Sequence, residues 1–220
     1  MQSLILRFLC VLSVSTTFSA YAENEGASDR LKALLNPLVT LKASFRQQIF
    51  SSDDYLIQDS AGEMHMEKPG KIRWIVAPPM EQWLISNGET LWLYDPDLEQ
   101  VIIKPFEHSV SNTPAMLLNG GADQLDENYT VSYKSLGEIS EYTLKPKATE
   151  GLYESIKLTF NGSLPADIII YDSLGQRTEI KLTEVDVNTP MSPEKTAALY
   201  HFNPPSGVDV LGPDTIPPVN

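Results

Sequence analysis

The residues that could do chemistry are few, and none of them falls in a recognised catalytic or metal-binding spacing. The three histidines, His65, His108 and His201, do not form a zinc-binding pattern. Ser163 lies in an Asn-Gly-Ser turn and not in the Gly-x-Ser-x-Gly motif of a hydrolase nucleophile. The only cysteine, Cys10, falls within the apolar N-terminal segment described below. We therefore expect a protein that is not an enzyme and needs no cofactor or metal.

One acidic segment has the beginning of a calcium-binding loop. Asp95, Asp97 and Glu99 stand at alternate positions, as the first ligands of such a loop do. The loop would also need a glycine at its sixth position and an acidic residue at its twelfth, where this chain has Gln100 and Phe106. The segment is therefore predicted to be the solvated tip of a β-hairpin.

The N-terminus has the pattern of a secretory signal peptide. Arg7 precedes an apolar run from Phe8 to Val14, and Ala20-Tyr21-Ala22 supplies the small residues of a cleavage site. The run is much shorter than the roughly 20 residues that span a bilayer. We expect residues 1–22 to be removed on export. The mature chain then contains no cysteine and must be stable through its own core.

Composition and charge narrow the class of partner. The formal net charge is −13 at pH 7, which disfavours binding to nucleic acid and to anionic membranes. No repeat, linker or low-complexity tract divides the mature chain. Residues 23–220 are therefore predicted to form one domain.

The elements that must position any site begin with one amphipathic helix. The segment "DRLKALLNPLVTL" is predicted to be helical, with Ser28 as its N-cap and with Pro37 causing a kink or an early end. Its apolar residues recur at spacings of three and four, which places them on one face: Leu31, Leu34, Leu35, Leu38 and Leu41.

After this helix the period of the apolar residues changes to two, which indicates strands. Some ten or eleven short β segments follow, separated by turn signals such as Asn87-Gly88, and Gly62 is predicted to form a bulge. This pattern favours an antiparallel meander. Two short helices interrupt it, one opening at Thr113-Pro114 and the other at Ser192-Pro193.

The stretch from Lys71 to Val101 is apolar on both faces of the predicted sheet. It contains Trp74, Trp83 and Trp92, and each of them has an apolar neighbour in the sequence. A sheet with one solvated face should alternate cleanly. Two explanations are open: the sheet is covered on both sides as in a sandwich, or it is curved and its concave face lines a ligand cavity. In the second case the leucine-rich helix, "TPAMLL" and "SPEKTAALY" are candidate lids.

Several motifs in a fixed order resemble the LolA family of periplasmic lipoprotein carriers. The resemblance runs from about Leu31 to Val210. The matching elements are Phe45-Arg46-Gln47, Pro69, Arg73-Trp74, the "LWLYDPDLEQ" segment, "NTP" followed by apolar residues, and "FNPPSGVDV".

This resemblance implies a mainly β fold, an incomplete antiparallel β-barrel of about eleven strands with short α-helices forming a lid. It also implies a periplasmic carrier that receives lipoproteins from an inner-membrane ABC transporter complex, shields their acyl chains and delivers them to an outer-membrane lipoprotein acceptor. We expect a monomer. The acceptor in the family is itself a lipoprotein, whereas Leu9 before Cys10 does not fit a lipoprotein cleavage box.

Site residues follow from this interpretation. We expect the wall of the acyl-chain cavity to comprise Phe45, Met64, Ile72, Trp74, Val76, Leu84 and Trp92. We expect the lid to comprise Leu34, Leu38, Met116, Leu117 and Leu118.

The predicted latch of the lid is Lys68. The family typically has an arginine before the proline that corresponds to Pro69, and this arginine ties the barrel to the lid by hydrogen bonds. Lysine keeps the charge but lacks the planar fork of donors. The sequence therefore suggests a looser lid or one that other groups help to fasten, with Arg73 as a candidate.

Three alternatives remain open from the sequence. The same half-barrel could carry another lipid or amphiphile, because apolar residues do not encode the head group. A hydrolase could assemble its catalytic residues from distant positions. An interaction module could have a sheet that is simply covered on both sides.

Overall fold

The structure is a computed structural model, and it describes residues 26–106, 118–119, 125–148 and 153–212. The helices with defined bounds in these ranges are α1 (Ala27–Leu35), α2 (Leu125–Asn128) and α3 (Pro193–Leu199). Leu118 and Asn119 also have helical backbone geometry. The strands are β1 (Thr40–Phe50), β2 (Leu56–Glu67), β3 (Lys71–Val76), β4 (Gln82–Asn87), β5 (Thr90–Asp95), β6 (Gln100–Pro105), β7 (Tyr129–Leu136), β8 (Ile139–Pro146), β9 (Tyr153–Asn161), β10 (Leu164–Asp172), β11 (Arg177–Val187) and β12 (Asp209–Leu211).

All strands belong to one sheet in the order β12-β6-β5-β4-β3-β2-β1-β11-β10-β9-β8-β7. It consists of two antiparallel meanders, β1–β6 and β7–β11, joined by the pairing of β1 with β11. The strands at the two ends, β12 and β7, do not pair with each other in the described part of the chain. The predicted fold class, an incomplete β-barrel with short helices, is confirmed.

Two details of the strand prediction differ. In the described ranges the sheet has twelve strands where about eleven were expected, and β12 runs parallel to β6. Asp209, Val210 and Leu211 pair with Gln100, Val101 and Ile102. Because β12 has only these three residues, no periodic pattern could have identified it.

Helix α1 is shorter than its apolar pattern suggested. It begins after Gly26 and ends at Leu35, so that Ser28 lies inside it and is not its N-cap. Proline at position 37 has no amide hydrogen, and its ring clashes with the carbonyl of the preceding turn, which ends the helix. Leu38 is therefore outside the helix, although it is 4% exposed and lies in the same core.

The turn signals predicted hairpins correctly. Asn87 Oδ1 accepts hydrogen bonds from the backbone nitrogens of Glu89 and Thr90, at 2.9 and 2.8 Å, in the β4–β5 turn. Asp95 Oδ1 accepts one from Leu98 N at 3.0 Å, so the acidic segment is the tip of the β5–β6 hairpin. Ser192 caps α3 by accepting from Lys195 N at 3.4 Å, as its position before a proline predicted.

Gly62 is not a bulge. It pairs in regular register with Phe45 on β1 and with Val76 on β3. A Cβ atom here would lie 1.9 Å from the carbonyl oxygen of Ile75 and 2.6 Å from Cζ of Phe45. The glycine is required because backbone and ring approach this point too closely for any side chain.

The sheet is apolar on both faces because each face has its own cover. We call the side against which α1 packs the inner face and the opposite side the outer face. The inner core joins α1 to residues of β1–β3 and β7–β11. On the outer face, the segment that follows α3 covers β4–β6, where Phe202 packs against Ile85, Trp92 and Val101. We call these four residues, with their partly buried neighbours such as Trp83 and Tyr94, the outer cluster.

Candidate functional site

Register brings six of the seven predicted wall residues to the inner face. Met64 is paired with Trp74, which in turn is paired with Leu84, so these three side chains lie in a row across β2, β3 and β4. Gly62 is paired with Phe45 and with Val76, which places both of these residues on the same side, while Ile72 is opposite Met66 of the inner core. We call the six residues the inner wall: Phe45, Met64, Ile72, Trp74, Val76 and Leu84.

Four of the six inner-wall side chains are buried, whereas Trp74 and Leu84 are partly exposed. Met64 and Ile72 are fully buried, and Phe45 and Val76 are nearly so. The ring of Phe45 stacks on that of Trp74 with 4.0 Å between centroids. Whether these side chains contact acyl chains stays a prediction.

The prediction that Trp92 belongs to this wall is wrong, because Trp92 lies on the outer face of the sheet. Trp92 is opposite Ile85 and lies in the outer cluster with Phe202. The segment "LWLY" has apolar residues at successive positions, so its pattern does not reveal which residues point inward. A shift of one residue moves a side chain to the other face.

The described lid residues lie over the inner core. Leu38 and Leu118 are buried, and Leu34 packs against the same cluster with part of its surface exposed. Met116 and Leu117 lie outside the described residues. Leu31 and Leu35 of α1, 0% and 1% exposed, are buried more deeply than Leu34. Their spacing of four residues on one helix face was the signal that could have added them to the predicted lid.

α3 was a candidate lid, but it lies on the outer face. Thr196 Oγ1 is 3.4 Å from Glu67 Oε2, and Glu67 follows Met66, which points into the inner core. The helix has no buried residue of its own, and Tyr200 at its end is 2% exposed. Between α3 and the sheet is an open cavity of about 660 Å³, lined in part by Glu67, Lys71 and Tyr200. α3 therefore does not cover the inner wall.

The predicted latch, Lys68, does contact α1. Its Nζ donates a hydrogen bond of 2.7 Å to the carbonyl oxygen of Leu35, the last residue of the helix. The same carbonyl accepts from Leu38 N at 3.1 Å, so both of its lone pairs are used. A positive charge at this end of a helix is also favourable to the helix dipole.

Arg73 does not substitute for the latch. It is next to Trp74 on β3 and therefore points to the outer face, where its guanidinium lies 5.3 Å from the centroid of the Trp83 ring. Burial there lowers the pKa of Arg73. It is separated from α1 by the sheet itself.

A residue that sequence reasoning missed also contacts the turn that contains Lys68. Asn119 is 2% exposed, its Oδ1 accepts from Gly70 N at 3.1 Å, and its Nδ2 donates to the carbonyl oxygen of Lys71 at 2.9 Å. In the sequence it stands in "LLNGG", which indicated only the end of a helix. No local pattern relates it to a turn 48 residues earlier.

The side chains of the inner wall are apolar, and none of them is an ionisable group that could act as an acid, a base or a nucleophile. On the outer face, burial and the charge of Lys42 lower the pKa of His65. In the described ranges no group of three or more His, Cys, Asp or Glu side chains is placed to hold a metal ion. None of the described helices is long and apolar enough to cross a membrane. What the site can do is bury or expose apolar surface.

Comparison with known proteins agrees with this geometry. Residues 36–196 match the family model described as outer membrane lipoprotein carrier protein LolA. An outer-membrane lipoprotein carrier protein of Pseudomonas paraeruginosa is 37% identical over 204 residues, which cover 93% of this chain and 96% of that protein. Another, of Azotobacter vinelandii, is 35% identical over 207 residues, which cover 94% and 98%.

The fold has a counterpart among solved structures. An uncharacterized conserved protein from Thermus thermophilus is similar with a TM-score of 0.50 and 13% sequence identity, over 86% of this chain and 98% of that chain. At this identity the likeness concerns the fold alone.

Proposed function

Because the chain belongs to the LolA family of outer membrane lipoprotein carrier proteins, we propose that it carries lipoproteins across the periplasm with their acyl chains shielded. The family is one of carriers and not of enzymes. In this proposal residues 1–22 are the signal peptide and residues 23–220 are the carrier domain. An inner-membrane ABC transporter complex loads the chain, and an outer-membrane acceptor unloads it.

One observation carries the proposal. The inner wall is a continuous apolar surface on three neighbouring strands and the adjoining β1, and its cover, α1, is fastened at its end by a side-chain hydrogen bond from Lys68 to Leu35. A cover that must leave and return benefits from such a hydrogen bond, because the bond is exchanged for water at little cost.

The binding energy must be limited for delivery to be possible. Burial of each methylene of an acyl chain contributes about 0.8 kcal/mol, so complete shielding of several chains would make release very slow. Opening of α1 offsets this gain, because the side chains of Leu31 and Leu35 are each stabilised by about 1.5–3 kcal/mol on burial. Cargo and α1 therefore compete for the inner wall. This is a shift between two populations and involves no bond chemistry.

The experiment that tests the proposal identifies what the protein binds in its own compartment. The chain is purified from the periplasm without detergent, and bound material is determined by mass spectrometry. Triacylated lipoprotein supports the proposal, and free phospholipid favours a carrier of another amphiphile. Protein that is empty, and that does not take up a lipoprotein from inner-membrane vesicles containing the transporter, contradicts both.

A further inference from the structure

The turn after β2 is contacted by two segments that are far apart in the sequence. We call residues 68–71 the clasp turn. From one side α1 reaches it through the bond between Lys68 Nζ and the carbonyl oxygen of Leu35. From the other side Asn119 reaches it with two bonds, one from Gly70 N and one to Lys71 O. The neighbour of Asn119, Leu118, is 0% exposed and belongs to the inner core.

The clasp turn is itself held rigidly by the sheet. Gly70 has φ +72°, a conformation that side chains disfavour. A Cβ atom on Gly70 would lie 2.8 Å from Cα of Gly88 in the β4–β5 turn and 3.0 Å from Cε1 of Phe106. The directions of the Gly70 amide and the Lys71 carbonyl are therefore fixed by packing against neighbouring strands.

The side chain at position 119 matches this backbone in both of its polar atoms. A primary amide presents an acceptor and a donor side by side, and two successive residues of the clasp turn supply the complementary donor and acceptor. Aspartate would keep the acceptor and lose the donor. Leucine would fill the space and lose both bonds.

We propose that Asn119 is a positioning residue which fastens Leu118 over the inner wall, and that this segment and α1, anchored to the same turn and packed in the same core, are released together. The proposal rests on the proposed carrier function for its purpose. Leu118 belongs to the same inner core as Leu31 and Leu35 of α1, so loosening of either segment removes part of the packing that holds the other. Two covers that open as one unit expose the wall to an acyl chain in a single step.

The experiment measures both covers without any cargo. Amide hydrogen exchange is followed in the cargo-free protein for α1 and for residues 118–119, alongside binding of an anilinonaphthalene sulfonate dye. The variants are Asn119→Asp, Asn119→Leu, Lys68→Leu and the double variant Asn119→Leu/Lys68→Leu. Asn161→Asp, at an exposed position at the end of β9, is the matched control for an added charge.

We expect Asn119→Asp to raise exchange at 118–119 by about tenfold, the effect of one lost hydrogen bond, and Asn119→Leu, which loses both bonds, to raise it further. In both variants exchange in α1 should rise as well. We expect Lys68→Leu to raise exchange at 118–119 reciprocally, and the double variant to exceed either single variant only slightly. Dye binding should increase in parallel, and Asn161→Asp should match the wild type.

Exchange that rises only in the segment whose contact was removed would overturn the coupling, and no rise in any variant would overturn the role of Asn119. If the Asn119 variants do not fold, the reciprocal effect of Lys68→Leu on residues 118–119 decides the matter alone. None of these readouts involves lipoprotein. Failure here therefore leaves the carrier function standing, and a different cargo leaves the coupling standing.

Discussion

The ring of Phe45 on β1 stacks on the ring of Trp74 on β3, with 4.0 Å between their centroids, across the intervening strand. The residue of β2 opposite Phe45 is Gly62, and a Cβ atom there would be 2.6 Å from the Phe45 ring. The missing side chain is what allows the two rings to meet over the strand. The stack is the centre of the inner wall and joins the first three strands on the face that α1 covers.

Replacement of Gly62 by alanine should therefore destabilise the fold. The new methyl group would meet the backbone carbonyl of Ile75 at 1.9 Å, and backbone cannot move as a side-chain end can. We expect a loss of about 2–3 kcal/mol in the free energy of unfolding, measured by urea denaturation. Gly212→Ala, where an added Cβ atom would meet no atom within 4 Å, is the control and should change the free energy of unfolding by less than about 0.5 kcal/mol. If the two variants unfold at the same urea concentration, the sheet can relax around the methyl group and the prediction is wrong.

Two tryptophans on opposite faces make a matched pair for testing the inner wall. Trp74→Ala removes part of the wall, and Trp83→Ala removes part of the outer cluster. We expect Trp74→Ala to weaken the binding of a fluorescent fatty acid by about tenfold, since a large aromatic surface is lost. Trp83→Ala should lower stability and leave this affinity within about twofold. The assignment of faces to functions fails if the two variants bind the probe alike.

The charge at position 68 should matter through its hydrogen bond to α1. Lys68→Leu removes the donor to the Leu35 carbonyl, and we expect hydrogen exchange in the last turn of α1 to rise by about tenfold. Lys68→Arg keeps a donor, so hydrogen exchange in the last turn of α1 should be as slow as in the wild type or slower. Lys145→Leu, an exposed lysine on β8, controls for the loss of charge. Lys68 is not a latch if both changes leave exchange and cargo transfer unaltered.

A second contact of α1 predicts a dependence on pH. Lys32 of α1 pairs with the carboxylate of Asp126 in α2, and the hydrogen bond from Lys32 lowers the pKa of Asp126. The pKa of an aspartate in an unfolded chain is about 3.9. Since the pKa in the folded state is lower, the stabilisation is complete above this value and is lost as the pH falls through the folded-state pKa.

Asp126→Asn should therefore bind more anilinonaphthalene sulfonate than the wild type at pH 7, because α1 is less firmly held. The difference should stay constant down to about pH 5 and narrow below about pH 4, where the wild-type carboxyl also becomes neutral. Asp97→Asn, in the exposed β5–β6 turn, removes a charge away from α1 and is the control. A difference that persists unchanged to pH 3 would assign the effect to something other than the ion pair.

The elements themselves follow from local chemistry that the sequence contains in full. Alternating apolar residues predicted the meander, and Pro37 predicted a kink or an early end of α1, of which the structure shows the early end. Asn87-Gly88 predicted a hairpin, and Ser192-Pro193 predicted a helix start. Each of these signals acts within a few residues of where it stands. The order of motifs from Phe45 to Val210 was sufficient to indicate the family.

Only the tertiary structure decided which way the residues of an evenly apolar stretch point and which distant groups meet. Trp92 and Trp74 have similar apolar neighbours in the sequence, yet the strand register places them on opposite faces. A stretch that is apolar at successive positions shows no alternation from which the inward-facing residues could be identified. Asn119 contacts the clasp turn although 48 residues separate it from Lys71 in the sequence. The need for glycine at position 62 is explained only by the Phe45 ring that lies over it. A sequence determines contacts between neighbours directly, whereas contacts across the sheet depend on a register that the whole core selects together.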